Sequence, residues 1–179
     1  MNRSLLNRCR GRVARSWQTR TGYSIERKWL LEPFPFTDAE WEPVETTALA
    51  LANAAVADDE VLRASLRVEI VDLLNRLRER HGEHPFLLEL IADYTEDEAD
   101  RVTLYRRAAE IAVTHDLPTF TLRLSLARLL LELNEPARAV AELRACEASI
   151  HSRSESERTE WLNLFEEAEW QTNRTGTDL

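Results

Sequence analysis

The stretch from Pro118 to Ser149, PTFTLRLSLARLLLELNEPARAVAELRACEAS, constrains the fold more than any other part of the chain. In its first half Leu122, Leu126, Leu129, Leu130 and Leu133 recur at helical spacing and fall on one stripe. In its second half Ala139, Leu143 and Cys146 do the same. Between them lies Asn134-Glu135-Pro136, a helix stop followed by a proline at a helix start. Two short helices joined by a tight turn are predicted. A hairpin of this kind cannot bury its apolar stripe alone, so it must stack on neighbours.

Composition agrees with a chain built of such hairpins. The 179 residues suffice for one domain with a real core. Four glycines and six prolines are too few for the frequent turns of an all-β fold. No apolar run approaches the ~18 residues that a membrane helix needs. The two cysteines, Cys9 and Cys146, stand far apart in unlike contexts, Cys9 among arginines and Cys146 in an apolar stripe. That argues against a disulfide framework and for a reducing, cytoplasmic setting.

Upstream, Thr37-Asp38-Ala39-Glu40 has capping-box spacing and opens a helix through Trp41, Val44, Ala48, Leu51, Ala52 and Ala55. Pro43 lies near enough to its start to be tolerated. Asp58-Asp59-Glu60 caps the next helix, whose stripe is Leu62, Leu66, Leu73 and Leu77. It ends in Arg76, Arg78 and Arg80, as its dipole prefers, and Gly82 stops it. Downstream, Ser154-Glu155-Ser156-Glu157 starts a last helix with Trp161, Leu164, Phe165 and Ala168 on its apolar side. Glu160, Glu166, Glu167 and Glu169 form its polar side, and the tail from Thr172 to Leu179 is expected to fray.

The small and large residues of the central hairpin resemble a tetratricopeptide repeat. Leu126, Ala127 and Leu130 match the pattern of that family's first helix, and Ala139, Leu143 and Cys146 match its second. Asn134-Glu135 stands at the family's turn. Small residues at Ala127 and Ala139 let two helices approach closely. Arg123 replaces an expected aromatic residue, and His151 an expected proline. Leu88, Ala92, Tyr105 and Ala108 repeat the pattern 38 positions upstream (92 to 130, 108 to 146), with Glu89 and Arg101 breaking it. The family period is ~34 residues, which places the surplus around His115-Asp116-Leu117-Pro118.

The resemblance implies an all-α fold in which antiparallel helical hairpins stack as a short, right-handed TPR-like array closed by a C-terminal capping helix. It also implies a scaffold that binds a peptide or partner helix in a groove lined by the first helices of successive repeats. Carried onto this chain, the groove holds Phe86, Leu90, Asp93, Tyr94, Leu124, Arg128 and Leu131. Arg123 and Arg128 are placed to grip a partner carboxylate with paired donors. The competing reading, that Phe86, Leu90, Leu124 and Leu131 are core covered by the N-terminal segment, stays open at this point. So does a homo-oligomer.

Residues 1–28 stand apart from this body. They hold eight basic residues and one acidic residue, a net of +7, whereas the remainder holds 15 basic and 31 acidic, a net of −16, for a total of −9. On a helix, Leu6, Cys9, Val13 and Trp17 share a face that Arg8, Arg12 and Arg15 avoid. The arm, with Arg8, Arg10, Arg12, Arg15 and Arg20, is therefore basic and amphipathic. Three roles compete for it: docking on an acidic body, contact with nucleic acid or an anionic surface, and a removable targeting segment. Between the arm and the first capping box, Trp29, Leu30, Phe34 and Phe36 flank Pro33 and Pro35 and predict an ordered, non-helical strap. The hairpin domain is thus drawn over residues 29–171.

Motifs of catalysis are not found. His81 and His84 are three apart but Gly82 intervenes, and spacing supplies no third metal ligand. The run Glu96-Asp97-Glu98-Ala99-Asp100 lacks the glycine turn of a calcium loop and suits a helix N-terminus instead. There is no phosphate loop, dinucleotide fingerprint or nucleophile elbow. The expectation is a non-enzymatic protein without metal or cofactor whose partner is a protein or peptide. The alternative is association with nucleic acid or an anionic surface through the arm.

Overall fold

The computed structural model describes residues 36–175. The basic arm, most of the strap and the last four residues lie outside the described residues. Seven α-helices and one 3-10 helix follow one another with no strand among the described residues. They are α1 (Asp38–Val56), α2 (Glu60–His81), α3 (Pro85–Tyr94), α4 (Glu98–Thr114), α5 (Phe120–Glu132), α6 (Pro136–Cys146), the 3-10 turn Glu147–Ser152, and α7 (Glu155–Thr175).

The boundaries are set by local chemistry. At α1 the Thr37 N–H donates to Glu40 Oε2 (2.8 Å) and the Glu40 N–H donates back to Thr37 Oγ1 (3.3 Å). The same reciprocal box opens α7: Ser154 N–H to Glu157 Oε2 at 2.9 Å, and Glu157 N–H to Ser154 Oγ at 3.3 Å. Asp59 caps α2 by accepting from the Leu62 N–H, and Asp97 caps α4 by accepting from the Asp100 N–H. Gly82 ends α2 at φ 83°, a conformation that side chains disfavour. The links α1–α2, α4–α5 and α5–α6 turn through Asp58, Asp116 and Asn134, all at positive φ. Short Asx side chains tolerate this left-handed region better than other residues. Pro136 then starts α6, where its missing N–H costs nothing.

Each helix packs on the next one in sequence, and α7 also touches α5. The central helix α5 is buried on nearly every side, through Phe120, Leu122, Leu124, Leu126, Ala127, Leu129, Leu130 and Leu131. A helix apolar all round belongs inside a protein, and α5 has α4, α6 and α7 around it. Its core cluster reaches Ala92, Val102 and Tyr105 on one side and Ala139, Leu143, Cys146, Trp161 and Ala168 on the other. Ala127 and Ala139 are fully buried, which is what close approach of α5 and α6 requires.

Three details differ from expectation. In α2 the buried stripe is Leu66, Ile70, Leu74 and Leu77, while Leu62 is 45% exposed and Leu73 half-buried. At 100° per residue that stripe centres near Ile70, and Leu62 and Leu73 lie at its edges. In α1 the buried residues are Trp41, Val44, Thr47 and Ala54, with Ala55 exposed, so the inward face is rotated toward Thr47. The Thr47 hydroxyl is satisfied there by donating to Glu69 Oε1 at 3.4 Å. Finally, α7 continues to Thr175, past the point at Thr172 where fraying is predicted. The Thr172 hydroxyl donates to the Ala168 carbonyl (2.8 Å), and Ala168 is fully buried in this last stretch.

Candidate partner-binding cleft

The exposed side of α5 is narrow, and Arg128 lies on it. Opposite stands the first half of α7, brought there by the 3-10 turn and the Ser154 cap. Between them opens a shallow cleft of about 700 Å³ lined by Arg128, Glu155, Ser156, Thr159, Glu160, Asn163 and Leu164. Arg128 forms an ion pair with Glu160 across it, and both side chains are more than a third exposed. Such a pair stabilises little, about 0–1 kcal/mol, because water screens it. It is therefore a contact that an incoming ligand can exchange without unfolding anything.

The cleft is held by packing behind it. The Trp161 and Phe165 rings stack at 4.9 Å, and the Trp161 Nε1–H donates to the Leu143 carbonyl oxygen at 3.0 Å. The Cys146 thiol donates to that same carbonyl at 3.2 Å. Burial pushes this thiol up to about 11, and its side chain packs in the core cluster around α5.

The residues singled out for a groove are distributed as follows. Arg128 lines the cleft. Arg123 is turned to α6 and pairs with Glu142 at 2.5 Å, each side chain 19% exposed. Leu124 and Leu131 are buried in the core cluster around α5, and Leu90 is buried in α3. Phe86 is half-buried beside Trp41, ring centroids 5.7 Å apart. Asp93 accepts a hydrogen bond from the Tyr105 hydroxyl, which ties α3 to α4. Tyr94 is half-buried, and its hydroxyl is pushed well above the usual phenol range by burial first and by the neighbouring Asp93 second. The Arg-rich arm, Arg8, Arg10, Arg12, Arg15 and Arg20, lies outside the described residues.

The cleft residues on α7 are not among those singled out. They do carry a signal: Glu155, Thr159 and Asn163 are spaced by four and share one face. That face reads only as the wet side of a capping helix until α5 is placed next to it.

A second cluster joins α1, α2 and α3. Phe36 stacks on Trp41 at 5.1 Å and lies 6.4 Å from Phe86. Beside it Glu40 Oε1 meets Arg80 Nη1 at 2.6 Å and His81 Nε2 at 3.0 Å. The Thr37 backbone N–H, then Arg80 and His81, hold the Glu40 carboxyl down at about 2. His84 caps α3, its Nδ1 accepting from the Phe86 N–H at 3.3 Å. The two histidines thus serve helix ends. Among the described residues no group of three or more His, Cys, Asp or Glu is placed to hold a metal. No described helix is long and apolar enough to cross a membrane.

No protein-family model matches this chain, and neither a curated protein nor a solved structure matches it.

Proposed function

We infer that the protein is a non-enzymatic interaction module: a short TPR-like array of helical hairpins that binds a peptide or partner helix and acts as a scaffold. The observation that carries this reading is the open cleft between α5 and α7. Here α5 is the first helix of the repeat-like hairpin, and α7, the capping helix, takes the place that the first helix of a next repeat would take. The order of packing, each helix on its successor with α7 also on α5, fits stacked hairpins. The residues that line the cleft carry both charges, with amide and hydroxyl groups that suit a peptide backbone and aliphatic surface between them. Arg128 keeps the role of gripping a partner carboxylate, in exchange for Glu160. Arg123 is engaged with Glu142 and supports α6 instead.

The test is to pan a random peptide library on the full chain. Binders should be enriched whose affinity falls at least about tenfold on Asn163→Arg or Thr159→Arg, which fill the cleft, with the melting temperature unchanged. If no enriched peptide depends on these positions, the cleft is not a binding site.

The charge asymmetry of +7 over residues 1–28 supports a second reading, contact of the arm with nucleic acid or an anionic surface. Truncation separates the two. Phosphate binding by the arm should vanish on removal of residues 1–28, and cleft binding should survive it while falling on Thr159→Arg or Asn163→Arg.

A further inference from the structure

The outer face of α7 continues the cleft. Glu155, Thr159, Asn163, Glu166 and Trp170 follow one another at spacings of four, four, three and four, so they form one stripe along the helix. Trp170 is 57% exposed, an unusual position for an indole. The Arg174 guanidinium already lies over this ring, 4.5 Å from its centroid, which shows that the ring face accepts a cation. Neither Glu155 nor Glu166 forms an ion pair with another described residue, unlike Glu160 and Glu169, which meet Arg128 and Arg144. The surrounding field has the same sign. Residues 36–175 hold 15 arginines and 29 acidic residues. Such a body repels phosphates and steers cations toward it.

We propose that the α7 stripe from Glu155 to Trp170 is the docking track for an arginine-bearing polypeptide segment. Glu155 and Glu166 take guanidinium groups as charge-assisted hydrogen-bond acceptors. Trp170 stacks against a further arginine or its aliphatic stem. The Asn163 amide, both donor and acceptor, meets the backbone between them. This rests on the interaction-module reading and specifies its partner by charge. The α7 face of a second copy is a poor occupant, because two such acidic faces repel.

The experiment uses the full chain and a fluorescein-labelled peptide of 16 residues alternating arginine and serine, read by anisotropy. The peptide should bind, Trp170→Ala should weaken it about fivefold, and the double variant Glu155→Gln/Glu166→Gln about tenfold. The double variant Asp72→Asn/Glu98→Gln removes the same charge from α2 and α4 and should change affinity less than about twofold. Equal losses in the two double variants would reduce the effect to bulk attraction and overturn the proposal. So would preferential binding of the glutamate–serine counterpart, of oligo-dT or of anionic phosphatidylserine vesicles, or self-association abolished by Trp170→Ala. The library separates the two levels of inference. Cleft-dependent peptides without arginine or lysine overturn the charged track and leave the module standing, and no cleft-dependent peptide overturns both.

Discussion

The indole nitrogen of Trp161 and the carbonyl oxygen of Leu143 are 3.0 Å apart, and both residues are buried. This one bond fastens α7 to the last turn of α6. It joins the Cys146 thiol on a carbonyl near the helix C-terminus, where the Glu147 N–H turns to the Arg144 carbonyl instead. Trp161→Phe keeps most of the apolar volume and removes the donor. We expect a loss of about 1–3 kcal/mol, read from urea unfolding, because a buried acceptor loses one of its partners. A change below about 0.5 kcal/mol would mean that the ring's packing alone holds α7 in place.

Ala139 is fully buried where α6 meets α5. Ala139→Leu adds three carbons to a contact without room. The expected destabilisation is about 1–3 kcal/mol by overpacking, and Ala139→Gly should also destabilise, through helix propensity and the loss of a buried methyl. An unchanged melting temperature for the leucine variant would show that α5 and α6 can separate without penalty.

The Glu40 clasp gives a pH signature. Its carboxyl is held at about 2, below the ordinary 4.5, so between those values the folded chain binds fewer protons than the unfolded one. The clasp therefore contributes fully above about pH 4.5, and its contribution is lost as pH falls through 2. Glu40→Gln should lower the melting temperature at pH 7, and the gap from the parent should shrink toward pH 2. A gap that stays constant across this range would assign the effect to helix capping, with no role for the charge.

Asn134 turns the chain between α5 and α6 at φ 58°. Asn134→Ala puts at this positive φ a residue that tolerates the left-handed region less well than asparagine, and should cost about 1 kcal/mol. Asn134→Gly should be neutral or slightly stabilising, since glycine adopts this region freely. The pair of thermal melts is the check, and equal losses in both variants would point to a contact made by the amide.

Much of this architecture is readable along the chain because it is encoded locally. The boxes Thr37/Glu40 and Ser154/Glu157, the caps Asp59 and Asp97, the stop at Gly82 and the Asn134-Glu135-Pro136 turn act within four residues of their own positions. Faces are harder to read. A stripe of alanines leaves α1 free to rotate, and Thr47 is drawn inward by a hydrogen bond to Glu69, 22 residues away. In α5 the difficulty is the reverse. With leucine at 122, 124, 126, 129, 130 and 131, periodicity no longer distinguishes inside from outside. The burial of Leu124 and Leu131 is set by the neighbours that surround α5. The partners of Arg123 and Arg128 lie on later helices, Glu142 and Glu160, and no local pattern announces them.

Packing of each helix on its immediate successor also sets how the molecule assembles. Few chain segments have to meet across long loops, so little closure entropy opposes the first contacts, and topologies of this sort reach the native state in microseconds to milliseconds. Loss of order proceeds along the same line. Among the described helices the hairpin α1–α2 packs mainly on α3, whereas α5 has α4, α6 and α7 around it. Amide exchange should accordingly be slowest at the middle of α5 and quicken toward the α1–α2 end, a gradient of protection along one dimension.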